Sequence, residues 1–400
     1  MIHQIKTKFI YSIFIRRIFN IYYRHFNAHP LERKILANFK NCFKENLISF
    51  GFANLHFFEH IKDFYFYLKN NNQSVSIISP TINPSNKRKE EFFNYFVNVL
   101  KLEIGEDIIP FPYSCYLNSK HYLECSISTY HIEMRNTKKF LYTHGLDGLN
   151  FAKDYKAIKY VRFYDFLLLN GPMQKKALEI AANFYNIRLP EMYEVGYLRG
   201  DRLWKLSKNF DKQSFQKRLG LKPNIPVILY APTWGYFSST KEWIDVVVSI
   251  TRNLSVYLLI KLHPLMMTER SKFITGGINW AEKLRSLKEK FNHVRVIEEQ
   301  NLDDYMLASD VMISDVSGLA LEFMVLEKPA IFLPAPEYFK LYGEQRPIKW
   351  CRPNYEIKNV KALEIEIKKA INGKGYIYPS DKLVYNKGFA LEKLKEIISV

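Results

Sequence analysis

From about residue 45 onward, short apolar runs alternate with longer amphipathic stretches, and this alternation constrains the fold more than any other feature. Strand-like runs occur at 47–53, 74–79, within 107–113 and 138–145, and at 165–171. Helical stretches lie between them at 56–70 and 90–101. A further helix opens at Pro172, where proline suits a first helical turn. Such an order predicts a mostly parallel sheet with helices on both faces. A polar, lysine-rich stretch at 201–226 then marks a domain boundary. Beyond it the alternation resumes with VILYAPTW, VYLLIKLHP, HVRVIEE, VMISD and PAIFLPAP as strands, about the content of one doubly wound domain. The expected organisation is an α/β protein with a basic segment over 1–45, a first Rossmann-like domain over 46–210, a second over 211–375, and a C-terminal helix within 376–400.

Charge narrows the partners. The chain carries 58 Lys and Arg against 40 Asp and Glu, a net charge of +18. That balance favours anionic partners: nucleic acid, an anionic membrane surface or a phosphate-rich substrate. No zinc-finger or RNA-recognition signature accompanies it, so nucleic acid is not expected. The four cysteines (Cys42, Cys115, Cys125 and Cys351) are scattered and form no C-x-x-C pair, and neither a metal nor a cofactor is expected. No apolar run reaches the roughly 18 residues of a membrane-spanning helix. At the N-terminus, Phe9, Ile10, Ile13, Phe14, Ile18 and Ile21 fall at helical spacing among Lys6, Lys8, Arg16, Arg17 and Arg24. This fits either a basic amphipathic helix on an anionic bilayer or a helix packed on the domain with its charges in water. The expected place is the cytoplasm, peripheral to the inner face of the membrane.

In open α/β sheets ligands bind beyond the carboxyl ends of the strands, so polar residues directly after strands are the candidates. In VMISDVSGLALEF a strand ends at Asp315, and Val316, Ser317 and Gly318 open a helix. Free backbone N–H groups, the helix dipole and a serine hydroxyl would together cradle phosphate. Glu322, one turn in, is in reach of a ribose diol. The plainer reading is an ordinary N-cap. In IKLHP, Lys261 and His263 end a strand, and His263 is placed for phosphate contact or proton transfer. In LYAPTWGYF, Thr233 offers a hydroxyl after another strand. In the first half, FLYTHGLDGL places His144 after a strand with Asp147 nearby, a candidate general base. EVGYLRGDRLW carries Arg199 and Asp201; Arg199 suits either a phosphate or a salt bridge at the domain junction. His56 and His60 share a helix face with no H-E-x-x-H pattern and are not read as a metal site. Walker A, G-x-S-x-G and G-x-G-x-x-G patterns are all absent.

Together VILYAPTWGYF, IKLHP and VMISDVSGLALEFMVLEKPAIFL resemble, in order and spacing, the CDP-glycerol glycerophosphotransferase (teichoic-acid polymerase and primase) family. THGLDG resembles that family's H-G-T-P motif, and GYLRGD its G-x-P-R-x-D segment. The block around Ser317 is also similar to the S-D-S-G-G region of UDP-N-acetylglucosamine 2-epimerases. The resemblance implies a GT-B fold of two facing Rossmann-like domains and a CDP-polyol donor held by the second domain. It implies His144 as the base for an acceptor hydroxyl, and His263, Thr233 and Ser317 on the donor phosphates. The acceptor would be an anionic polymer or a lipid-linked chain of the cell surface, and CMP would leave. The sequence departs from the family at Leu146-Asp147, Leu198, Gly318 and Glu322, where the family carries T-P, Pro, Ser and Asp. The Ser-Gly pair keeps a second reading open: a GT-B glycosyltransferase using a CMP- or UDP-sugar for capsule or surface polysaccharide. A non-catalytic basic binding protein is the third.

Overall fold

A computed structural model describes residues 47–51, 55–79, 108–110, 119–125, 137–146, 158–267, 272–299 and 301–398. The basic N-terminal segment, the helix expected at 90–101, and Asp147 lie outside the described residues.

Twelve described strands form two sheets. The first contains β1 (Leu47–Gly51), β2 (Val75–Ser79), β3 (Ile108–Pro110), β4 (Ser119–Glu124), β5 (Lys138–Tyr142), β6 (Phe166–Leu169) and β7 (Glu191–Glu194). Its order is β3-β2-β1-β4-β5-β6-β7, and every pairing is parallel. The second contains β8 (Val227–Tyr230), β9 (Tyr257–Ile260), β10 (Val294–Val296), β11 (Val311–Ser314) and β12 (Ala330–Phe332). Its order, β10-β9-β8-β11-β12, is again wholly parallel. In both sheets the order of strand addition reverses once, between β1 and β4 and between β8 and β11. Loops leaving the strands at such a reversal splay apart and open a crevice.

The helices follow the expected alternation. They are α1 (Lys62–Asn70), α2 (Pro172–Tyr185), α3 (Leu198–Ser207), α4 (Lys212–Arg218), α5 (Thr240–Asn253), α6 (Trp280–Lys290), α7 (Asp303–Ala308), α8 (Gly318–Val325), α9 (Pro336–Tyr342), α10 (Val360–Ile371) and α11 (Ala390–Ile398), with several four-residue helical turns besides. The helix expected over 56–70 is broken. A short turn at Leu55–Phe58 precedes α1, and between them the amides of His60 and Ile61 bond three residues back, to Phe57 and Phe58. That tighter winding puts both His60 and Ile61 in the interior.

Two strands go beyond the periodicity reading. β4 (SKHYLE) has too few apolar residues to signal a strand, yet it runs between β1 and β5. β7 (EMYE) is an edge strand whose charged ends stay in water.

The C-terminal helix does not stand apart. Ala390, Leu394 and Ile398 of α11 are buried in the first domain's core with Phe50, Phe64 and Leu68. Burying a Leu and an Ile at about 1.5–3 kcal/mol each anchors the chain's return. The approach is close: a Cβ on Gly171 or Gly196 would collide with the carbonyls of Leu383 and Tyr385. The Tyr385 amide bonds Asn170 O at 2.9 Å, and the Asn386 side chain donates to Glu194 O at 2.7 Å. The Asp201 carboxylate accepts from the amides of Gly388 and Ala390, both at 2.7 Å, which satisfies the exposed start of α11.

β4 buries a histidine. His121 is 5% exposed and lies edge-on to Phe140, 5.5 Å between ring centres. Burial, reinforced by Lys120 and Lys138, lowers its pKa to about 4. An unfolded histidine titrates near 6.5, so between the two values the unfolded chain binds the extra proton. Stability from this group is complete above pH 6.5 and is lost as pH falls toward 4. Urea midpoints measured from pH 7 to pH 4 should fall more steeply for the wild type than for His121→Leu. Parallel pH curves would show that His121 does not carry the acid limb.

Candidate active site

The second sheet presents its loops at the β8/β11 reversal. Asp315, just past β11, is completely buried. Its Oδ1 accepts from the amides of Thr233 (2.7 Å) and Val316 (2.6 Å). Its Oδ2 accepts from the amide and hydroxyl of Ser239, both at 2.9 Å. One carboxylate thus ties the loop after β8 to the turn after β11. Asp315 was expected among the donor-binding groups. The structure spends its oxygens on protein donors, and it acts by holding the residues around it.

Those residues keep open faces. Ser317 occupies the N-cap of α8, yet its hydroxyl makes no capping bond. A Cβ on Gly318 would meet nothing within 4 Å. The start of α8 therefore faces open space with its amides, a partial positive charge and an uncommitted hydroxyl. Thr233 is half-buried beside it, its amide fixed by Asp315. His263 follows β9, half-buried, with its ring 6.0 Å from that of Trp234. The Leu265 amide donates to His263 Nδ1 at 3.2 Å. Because an amide only donates, Nδ1 must be the acceptor, and a neutral ring then carries its proton on Nε2.

Lys261 is placed differently from expectation. Its ammonium donates to Glu299 O at 2.6 Å and lies 3.5 Å from Ile297 O. Burial lowers its pKa. It ties the ends of β9 and β10 together.

Arg199 and Glu322 meet each other across the domain junction. Both are buried, with Nη1 to Oε2 at 3.1 Å, and Arg199 Nη2 lies 3.3 Å from Asp303 Oδ1. Burial opposes the guanidinium's charge, but Glu322, Tyr197 and Asp303 outweigh it and raise the Arg199 pKa. Of the two readings open for Arg199, the structure selects the salt bridge. Glu322 is thereby engaged by protein.

In the first domain His144 sits just after β5 with its ring 4.2 Å from Phe57 and 5.9 Å from His60. The turn carrying it is held from behind. Asn170 Nδ2 donates to the carbonyls of Thr143 (2.9 Å) and Gly145 (2.8 Å), and Gln174 bonds the Thr143 hydroxyl. Gly145 has φ +69°, a left-handed turn that favours glycine.

Three groups join the site that were not among its sequence candidates, though His60 was noted on a helix face. His60 is buried, and its Nδ1 lies 2.9 Å from the Tyr197 hydroxyl. Burial and the nearby Glu322 push the Tyr197 pKa well above its ordinary value, so it stays a neutral phenol. His144, His60, Tyr197 and Glu322 thus run in contact from one domain to the other. Arg352 is the third. Its Nη2 donates to Asp315 O (3.0 Å) and Leu333 O (2.7 Å), closing the ends of β11 and β12. No spacing rule points to it. The run Ser238-Ser239-Thr240, by contrast, did carry a signal: hydroxyl residues at the start of a helix.

Among the described residues no His, Cys, Asp and Glu group has metal-binding geometry, and no helix is long and apolar enough to cross a membrane.

Two facing, wholly parallel Rossmann-like domains, with the C-terminal helix returned to the first, define a GT-B-type protein. The family model for CDP-Glycerol:Poly(glycerophosphate) glycerophosphotransferase matches residues 119–355, and the chain belongs to that family. It is 26% identical over 192 residues to the teichoic acid poly(glycerol phosphate) polymerase of Bacillus spizizenii, 45% of each chain. It is 23% identical over 201 residues to the teichoic acid glycerol-phosphate transferase of Staphylococcus aureus, 47% of this chain and 45% of that one. The matched part is thus just under half the length of these curated relatives. The structure of the wall teichoic acid polymerase TagF aligns with a TM-score of 0.58 at 16% identity, covering 97% of this chain and 97% of that one. UDP-GlcNAc 2-epimerase from Neisseria meningitidis aligns with a TM-score of 0.55 at 14% identity, covering 89% and 100%. At such identities the structures share the fold.

Removing one partner from a buried ion pair strands the other charge, at a cost of about 3–5 kcal/mol. Arg199→Met should therefore lower unfolding stability by about that much. Arg199→Met with Glu322→Gln should lose less than the sum of the single changes, as groups in contact do. Strict additivity in urea unfolding would separate the two groups.

Proposed function

We propose that this protein moves a polyol phosphate, glycerol phosphate or ribitol phosphate, from a CDP-activated donor to a hydroxyl of a cell-surface polymer or lipid-linked acceptor, releasing CMP. The observation that carries the reading is the Asp315-organised cradle, with Ser317 and Gly318 opening α8 beside His263. Family membership supplies the chemistry that such a phosphate cradle serves.

In this reading the donor's diphosphate lies against the start of α8 and the His263 Nε2–H. His144 takes the proton from the acceptor hydroxyl as its oxygen attacks the donor's β-phosphorus. The bond from that phosphorus to the bridging oxygen breaks, and CMP leaves with the electron pair. Charge growing on the phosphoryl oxygens is met by fixed N–H and O–H donors, which need not reorganise during the step. Asp147, three residues on in the chain, is a candidate partner of His144 and lies outside the described residues. The net charge of +18 supports an anionic acceptor and attachment to the inner membrane face.

Thermal unfolding of the purified protein with CDP-glycerol, CDP-ribitol, CMP, UDP and UDP-sugars tests the donor. A ligand at 100 times its Kd stabilises the folded state by about 2.7 kcal/mol. Cytidine nucleotides should raise Tm selectively. His144→Ala should retain that shift while losing CMP release, and Ser317→Ala should shrink the shift. A response to uridine nucleotides alone would favour the sugar-nucleotide reading. Normal turnover by both variants would sink the site assignment.

A further inference from the structure

Behind the loop that follows β8 lies a second cavity, of about 250 Å3. Tyr236, Thr275 and Lys241 line it with a phenol, a hydroxyl and an ammonium, while the hydroxyls of Ser238 and Thr240, which also line it, bond each other at 2.7 Å. Met266 and Trp280 supply apolar surface. None of the lining residues is a carboxylate. Thr233, His263, Ser317 and Gly318 are not among them, so the cavity is separate from the donor cradle.

Thr275 and Lys241 supply donors to the wall. The Thr275 hydroxyl accepts from the Gly277 amide at 3.2 Å and so keeps its own proton to give. Lys241 only donates. Thr240 and Lys241 are also the first residues of the 14-residue helix α5, whose dipole adds positive potential. Lys241, the Thr275 hydroxyl and the start of α5 favour an anionic, acceptor-rich ligand. The volume lies below the roughly 300–1,000 Å3 of ordinary small-molecule pockets and suits one small unit better than a whole nucleotide diphosphate. A phosphorylated polyol of a few carbons meets both limits.

Position adds a second argument. The loop from Thr233 to Thr240 separates the cavity from the cradle. Asp315 grips Thr233 at one end and Ser239 at the other. Tyr236, 47% exposed, stands between these anchors. A chain bound in the cavity therefore lies one loop away from the donor.

We propose that this cavity holds a phosphorylated polyol unit of the acceptor chain, with Lys241 on its phosphodiester. The assignment rests on the polyol-phosphate transfer proposed above. It gives the second domain, which holds the donor, a share in the acceptor as well.

The test uses calorimetry on the full chain with a synthetic tri(glycerol phosphate), alongside CDP binding by thermal shift. Lys241→Met should weaken the oligomer by roughly tenfold, the worth of one charge-assisted hydrogen bond, and Lys241→Arg should restore most of it. The CDP-induced Tm shift should persist in both variants, showing that the fold and the cradle are intact. Equal oligomer affinity in wild type and Lys241→Met would overturn the assignment. So would parallel loss of oligomer and CDP binding, which would place the effect in the donor loop. Lys241-dependent oligomer binding in a wild type that does not respond to cytidine nucleotides would uphold the cavity and reject the donor reading instead.

Discussion

The guanidinium of Arg199 is the interaction on which the two-domain arrangement turns. It is buried at the junction between Glu322 and Asp303, both from the second domain. A charge removed from water at that depth is tolerable only when paired. Arg199 sits on α3, at the end of the first domain, so pairing it requires the domains to stay in register. Its neighbours enforce the same geometry. A Cβ on Gly200 would meet Val325 at 3.2 Å, so glycine lets α3 approach α8 closely. Asp201 caps α11. Arg202 reaches Asp63 of α1 at 2.7 Å and Asp303 of the second domain at 3.5 Å. Four consecutive residues therefore fasten the first domain, the second and the returning C-terminus.

Within the second domain Asp315 plays the corresponding part on a smaller scale. Its oxygens take up N–H and O–H groups from two loops that leave different strands. The loops would otherwise be independent, because each is anchored only at its strand. Tied together, they present Ser317, Gly318 and Thr233 as one surface and leave His263 beside it. Arg352 closes the same region from below through the carbonyls of Asp315 and Leu333. Buried charges hold the cradle together, and it is open where the Ser317 hydroxyl makes no capping bond and Gly318 faces empty space.

Much of this was legible in the sequence. Helix α2 begins at Pro172 and ends at Tyr185 as its pattern predicts, and every strand of the second sheet lies in an expected run. These elements are strongly periodic or continuously apolar, and burial on a parallel sheet demands that composition. β4 was illegible because its place is fixed by two neighbouring strands and not by its own hydrophobicity. The candidate site divides in the same way. Ser317, Gly318, Thr233 and His263 share one edge of one sheet, as strand-end reasoning predicts. Asp315 and Lys261 sit at the right positions in the chain but point their polar atoms into the protein. Arg352 carried no local signal at all, and His60 was legible only as part of a helix face.

By itself the sequence determined the kind of element at most described positions, the doubly wound architecture and the strand ends where chemistry could gather. Those follow from local periodicity and from the rule that strands in a parallel sheet expose their carboxyl-end loops. Only the tertiary structure decided which polar groups are spent on the protein and which remain for a ligand. Arg199 and Glu322 are 123 residues apart in sequence and 3.1 Å apart in space, and Asp315 reaches its Thr233 partner across 82. Whether a carboxylate faces a ribose or a guanidinium depends on what packs against it from elsewhere in the chain, and no local pattern encodes that.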